Sequence, residues 1–276
     1  MKQNFGVIIT NRSFFPAHLV TSARKELLEK LHNMGYGAII LDEEDTNLGA
    51  VATYEDAKKC AELFNKHRDK ISGIIVIMPN FGEETGVSAA LDISNLGVPI
   101  FVQACSDDLE KLQIENRRDA FCGKISLCNN LYQRGIKFTN TTFHTCKIDS
   151  IEFTKDIDYF AGVCRVVNGI KGMRVAAIGA RPNLFNTVRF SEKILQSYGI
   201  SVITADLSEI IFKSKAMPRD KRVEHKIYEI KEYGNIPNYI EEEKIELQAK
   251  LAIVFEDFMK EEECQASAIQ CWDSIQ

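Results

Sequence analysis

Short apolar runs punctuate the first hundred residues: FGVIIT at 5–10, YGAIIL at 36–41, GIIVIMP at 73–79 and VPIFVQ at 98–103. None alternates apolar with polar. A strand that is apolar along its whole length is buried on both faces, the condition of a parallel sheet covered by helices. Between the runs, apolar residues recur at helical spacing. Val20, Ala23, Leu27, Leu31 and Met34 mark one stripe within residues 17–34, and Gly35 closes it. Two more helices are expected over residues 54–70 and 83–96. Strand followed by helix, repeated, predicts a parallel, doubly wound sheet, because a crossover helix joins parallel neighbours.

The pattern then restarts. A charged helix over 150–168 leads into GIKGMRVAAIGARP, where 173–178 reads as a strand and 179–183 as a loop. A helix over 183–198, a strand ISVITADL at 200–207, a charge-rich stretch at 213–234, a long helix at 240–263 and a strand at 266–270 complete the second half. The expected fold is α/β, two consecutive doubly wound parallel-sheet (Rossmann-like) domains over 1–170 and 171–276. A second domain with three strands is thin. CWDSIQ at 271–276 reads as the opening turns of a helix without a C-terminal cap. The expectation is the front part of a longer protein.

Composition narrows the function. At 276 residues the chain can bury roughly 75% of its unfolded surface. The net charge of −5, with basic residues spread along the chain, gives nucleic-acid binding little support. No apolar run approaches the length of a membrane span. The eight cysteines form no CxxC pair and match no zinc module, so buried thiols are expected. The five histidines are scattered; His144, in TTFHTC, is the one with a site-like setting, and a satisfied polar residue is the better reading of it. No Ser/His/Asp or metal-ligand motif appears.

Four loops carry candidate chemistry. NRSFFP at 11–16 follows the first strand, and ligands in open α/β sheets bind at the carboxyl ends of strands. Arg12 offers a planar fork of donors suited to hydroxyl or carboxylate oxygens. Phe14 and Phe15 form either an apolar wall or a subunit contact, and the alternative is a surface arginine over tucked phenylalanines. MPNFGEE at 78–84 sits equivalently after the third strand, with Asn80 and Phe81 expected over the sheet edge; plain turn chemistry explains it equally well. RRDAFCGKISLCNNLYQRG at 117–135 reads mainly as a packing helix, with Arg118–Asp119 as a structural ion pair. IGARPNLFNTVRF at 178–190 has one glycine where a dinucleotide loop needs three. Asp206 as a ribose-binding acid is weak without them, so an oxidoreductase is disfavoured.

Together NRSFFP, MPNFGEE, RRDAFCGKISLCNN, TTFHT, IGARPNLFNTVRFSEK and AIQCW resemble the L-fucose isomerase and L-arabinose isomerase-like proteins, in order and across the chain. The resemblance implies a cytoplasmic aldose–ketose isomerase of carbohydrate metabolism. Two N-terminal α/β domains precede a C-terminal family domain, absent here, and subunits assemble as homo-oligomers, commonly hexamers. It also implies a divalent ion, typically Mn2+, that holds the open-chain sugar while carboxylates move a proton through an ene-diol. The implied metal ligands are a glutamate, an aspartate and a histidine beyond Gln276, so no metal or other cofactor is expected on this chain alone. By motif position the small-molecule sugar is met by Arg12, Phe81 and Gln270, the first two on loops donated to a neighbouring subunit; Asn80 or Phe14 are alternatives for the aromatic loop's role. The competing function is a non-catalytic sugar-binding or oligomerisation module of the same fold.

Overall fold

The computed structural model describes residues 3–271 and Ile275. Trp272, Asp273, Ser274 and Gln276, where a helix start is expected, lie outside the described residues. The chain divides into two compact units, Met1–Asn168 and Gly169–Gln276.

The first unit runs β1 (Asn4–Ile9), α1 (Ala17–Asn33), β2 (Gly37–Ile39), α2 (Tyr54–Lys66), β3 (Ile71–Met78), α3 (Glu84–Ser94), β4 (Ile100–Ala104), α4 (Ala120–Gln133), β5 (Thr139–Asn140) and α5 (Ile151–Ile170). Its five strands, all parallel, lie in the order β2-β1-β3-β4-β5. The doubly wound expectation holds. Side chains of successive strand residues point to opposite faces, and the cores show it. Phe5, Val7, Ile9, Ile75, Ile77 and Phe101 pack with α1 and α5. Ile8, Ile74, Val76, Met78, Ile100 and Val102 pack with α2, α3 and α4. β2 is shorter than the apolar run YGAIIL suggested; it is an edge strand, paired only with β1. β5 is a two-residue edge strand that hydrophobic pattern alone does not mark.

Local chemistry sets the helix ends. Thr53 and Asp56 form a reciprocal capping box at the start of α2. In the second unit, Asp220 accepts from the backbone of Arg222 and Val223 and starts a helix at Lys221.

The second unit runs β6 (Arg174–Ile178), α6 (Glu192–Ser197), β7 (Ser201–Ala205), α7 (Leu207–Ala216), α8 (Lys221–Tyr233), α9 (Glu242–Glu261) and β8 (Ala266–Ile269). Its parallel strands lie in the order β7-β6-β8. Ala176, Ile178, Ala205, Leu207, Ile210 and Val254 form one small core. Val223, Ile227, Ile245, Ala249 and Ile253 zip α8 to α9 in another, so the charge-rich stretch buries an apolar stripe. The helix expected over 183–198 forms only over Glu192–Ser197. Residues 183–191 instead form a loop with one 3-10 turn at Asn186–Val188, bridged by Arg181, which donates to Pro182 O, Asn183 O and Asn186 Oδ1. The helix starts where Ser191 accepts from Ile194 N.

Candidate functional site

In a sheet ordered 2-1-3-4-5 the chain leaves β1 and β3 toward opposite faces, opening a crevice at their carboxyl ends. Here α1 lies with one core and α3 with the other. The loops that border this crevice are NRSFFP after β1 and PNFGE after β3. By contrast, a cavity lined by Asp92, Asn95, Val98, Ile100, Ile136 and Lys137 opens where β4 begins, at the opposite edge of the sheet.

The two loops are bonded into one structure. Asn80 is fully buried and Asn11 is 4% exposed. Asn80 Nδ2 donates to Asn11 Oδ1 at 2.8 Å. Asn80 Oδ1 accepts from Gly82 N at 2.9 Å and from Arg12 N at 3.3 Å. The expectation that Asn80 points over the sheet edge is therefore overturned. Its amide faces inward because three polar groups of the two loops need partners away from water. Thr10, fully buried, accepts from Glu83 N at 2.8 Å. Gly82 has φ +71°, and a Cβ there would lie 2.5 Å from Thr10 Cγ2. Both the left-handed backbone and the close approach require glycine.

On this base stand Arg12 and Phe81. The Arg12 guanidinium lies 4.3 Å from the centroid of the Phe81 ring, within cation–π range. Its Nε donates to Gly82 O at 3.1 Å and faces Glu83 Oε1 at 3.1 Å, while Nη2 donates to Glu83 Oε2 at 3.2 Å. The carboxylate thus grips the guanidinium bidentately. The Arg12 side chain keeps 37% of its exposure. Phe14, 76% exposed, meets Phe15 edge-on at 5.6 Å on the same loop.

α4 supports the second loop from behind. A Cβ on Gly123 would lie 1.9 Å from Phe81 O, so the helix touches the loop backbone directly. Arg118 Nη1 donates to Pro79 O at 2.9 Å, and Arg118 N donates to Asp107 Oδ1 at 2.9 Å. The ion pair of Asp119 is with Arg117, 2.9 Å, not with Arg118 as expected. Asp119 holds φ +51° at the helix start, and that turn sends its carboxylate back toward Arg117. Ser126 Oγ donates to Glu84 Oε2.

Lys124, on the same helix, is fully buried. Its Nζ donates to Thr141 Oγ1 at 2.7 Å and His144 O at 3.0 Å. Burial lowers its pKa, because the apolar surroundings disfavour the charged form. It fixes the TTFHT loop through a side chain and a main-chain carbonyl. His144 packs edge-on to Phe121 with centroids 4.4 Å apart and pairs with Phe121 O through Nε2 at 3.2 Å, so its ring is held by a structural contact.

Gln270 belongs to the second unit, following β8. Its Oε1 accepts from Ala180 N at 2.8 Å and would lie 2.6 Å from a Cβ on Gly179, which has φ +79°. It ties the end of β8 to the loop after β6. Arg181 turns on its own loop, donating to Pro182 O and Asn183 O at 3.0 Å. Asp206 accepts from Ser208 N at 2.8 Å as the cap of α7, a task for which a carboxylate at a helix start suffices.

The structure therefore brings Arg12 and Phe81 together within the first unit, while Gln270 sits in the second. Sequence reasoning missed Glu83, Asn11 and Gly123. A glycine inside an apolar helix was the available signal for Gly123, since it costs helix stability unless something approaches closely. An Asn two residues before a Gly signalled the inward Asx turn. Among the described residues no three His, Cys, Asp or Glu side chains converge to hold a metal. No described helix is long and apolar enough to cross a membrane.

Comparison with curated proteins finds no match. A family model, the fucose/sulfoquinovose isomerase N-terminal domain, matches residues 6–171. That span runs from within β1 to the end of α5 and holds both crevice loops and the α4 buttress. On that match the chain belongs to the fucose/sulfoquinovose isomerase family, through its N-terminal domain.

Proposed function

We propose that this chain is the N-terminal part of an aldose–ketose sugar isomerase and that its crevice loops present Arg12 and Phe81 to the sugar. The observation that carries the reading is the Arg12–Phe81–Glu83 unit. A guanidinium stacked at 4.3 Å on an aromatic ring and held by a carboxylate is oriented in advance, and pre-orientation lowers the ordering cost of binding. It stands at the sheet edge where this fold class binds ligands, in a chain of an isomerase family. Gln270 is proposed as a third sugar contact, and a cytoplasmic homo-oligomer as the working form, with the Arg12 loop serving a neighbouring subunit.

The family resemblance supports a divalent ion and an ene-diol for the chemical step. The described residues do not fit such an ion, since no ligand set converges among them. No step through it is assigned to this chain. Its own residues bind and orient the sugar, through donors fixed on a rigid sheet edge.

The test is Arg12→Ala in the assembled enzyme. A charge-assisted hydrogen bond to a hydroxyl contributes about 1.5–3 kcal/mol, and each ~1.4 kcal/mol is tenfold. Then kcat/KM falls roughly ten- to hundredfold, with the fold intact because the side chain is half-exposed. Mixing Arg12→Ala subunits with subunits inactivated at a different site restores activity if the loop acts across an interface. An Arg12→Ala enzyme with unchanged kinetics refutes the sugar contact. Mixed oligomers that recover nothing refute the trans arrangement.

A further inference from the structure

The guanidinium of Arg12 has two edges, and the structure uses one. Nε and Nη2 face the two oxygens of Glu83 at 3.1 and 3.2 Å. One face lies on Phe81. The other edge, Nη1 with the second hydrogen of Nη2, meets no hydrogen-bond partner among the described residues of this unit. Two parallel N–H groups on a planar edge match two oxygens side by side. A sulfonate, a carboxylate and a vicinal diol all present such a pair. Charge separates them. The Glu83 carboxylate, 3.1–3.2 Å from the guanidinium, repels a second anion brought to the free edge and so weakens its attraction to Arg12, while a neutral diol is not repelled. Arg118, which also reaches this loop, spends Nη1 on the Pro79 carbonyl.

Resting on the reading of Arg12 as a sugar contact, we infer that Glu83 sets the substrate class of this site. By neutralising Arg12 it makes the loop a reader of two adjacent hydroxyls on an uncharged sugar and turns away a sulfonated one. Glu83 acts through Arg12 and is a positioning and specificity residue. Its backbone bond to Thr10 and its place before α3 keep the carboxylate beside the arginine.

The experiment compares wild type, Glu83→Gln, Glu83→Asp, Arg12→Ala and the double variant Arg12→Ala/Glu83→Gln in the assembled enzyme. Two quantities are read: kcat/KM for a neutral deoxyhexose, fucose, and the inhibition constant of a hexose bearing a sulfonate. Glu83→Gln keeps the shape and removes the charge. It is expected to tighten the sulfonated inhibitor about tenfold, the scale of one charge-assisted hydrogen bond, while kcat/KM for the neutral sugar falls. Glu83→Asp keeps the charge and stays near wild type for the inhibitor. The double variant loses the gain, which a general loosening of the loop would not produce.

If Glu83→Gln leaves the inhibitor unchanged while Arg12→Ala still lowers neutral-sugar turnover, the charge-balancing role is wrong and the sugar contact stands. If the gain persists without Arg12, or Glu83→Asp shows it too, the role is likewise overturned. If Arg12→Ala changes neither quantity, the sugar contact itself fails and the inference falls with it.

Discussion

Asn80→Ala is the sharpest perturbation of the edge on which Arg12 stands. Asn80 is fully buried and its amide serves three partners: Asn11 Oδ1 at 2.8 Å, Gly82 N at 2.9 Å and Arg12 N at 3.3 Å. Truncation leaves Asn11 Oδ1 and Gly82 N without partners, and each buried unsatisfied group costs about 1–3 kcal/mol. Arg12 N, half-open and with the longest bond, regains water and adds little. The sum is about 2–6 kcal/mol. For a unit of 168 residues, 1 kcal/mol lowers Tm by about 2–4 °C, so a mid-range cost of about 4 kcal/mol moves its transition by about 8–16 °C. Asn11→Ala orphans one group, Asn80 Nδ2, and costs about 1–2 kcal/mol. Because the two side chains share a bond, the double variant is less destabilised than the sum of the singles, by about 1 kcal/mol. Urea melts of the four proteins, with kcat/KM measured on each, provide the check. An Asn80→Ala variant within about 0.5 kcal/mol of wild type would show that the two loops are not coupled through this amide. Unchanged turnover in a folded Asn80→Ala protein would show that Arg12 does not depend on it.

Glycine substitutions and alkaline pH test the support of the edge and of its core. Gly123→Ala places a methyl 1.9 Å from Phe81 O, a backbone atom that cannot step aside; a loss of about 1–3 kcal/mol or more is expected, with weaker sugar binding, whereas Gly162→Ala, in α5 and no closer than 3.6 Å to another group, gains about 0.5–1 kcal/mol. Equal effects in thermal melts would refute the assignment of Gly123 as the contact to the loop. Burial pushes the Cys60 thiol up to about 12 from its ordinary 9.0. A raised folded-state pKa contributes stability that is fully present below pH 9 and lost as pH rises toward 12, since the unfolded thiol ionises first. Cys60→Ala should flatten the alkaline loss in urea melts taken between pH 8 and 10.5 by about 1.4 kcal/mol per pH unit above 9; an unchanged slope would mean the folded thiol ionises as freely as the unfolded one.

The sequence alone determined most of the architecture. FGVIIT and GIIVIMP are apolar at nearly every position, and only a sheet covered on both faces needs that. Strand–helix alternation then left a parallel doubly wound unit as the economical solution, and the strands at 5–10, 73–79 and 98–103 appear as β1, β3 and β4 within a few residues. Arg12 and Phe81 were legible as candidates because each lies on a loop after a strand and the family resemblance places the sugar there; without the resemblance, turn chemistry explains the Phe81 loop equally well. Their contact was not, because it depends on the strand order. With β1 and β3 adjacent, residues far apart in the chain come within bonding distance, and no local pattern encodes that adjacency. The same holds for Glu83, which reads as a helix-start acid and becomes a partner of Arg12 only across the crevice. Asn80 departs from its expected exposure for a related reason: its amide is drawn inward by Asn11 and Arg12 N of the neighbouring loop as well as by Gly82 N, while Arg118 and Gly123 brace the flanking Pro79 and Phe81 carbonyls from a segment about forty residues on. Local sequence sets periodicity, caps and turns through bonds within a few residues. The charge state and aim of a functional side chain are set by neighbours that only the folded sheet assembles.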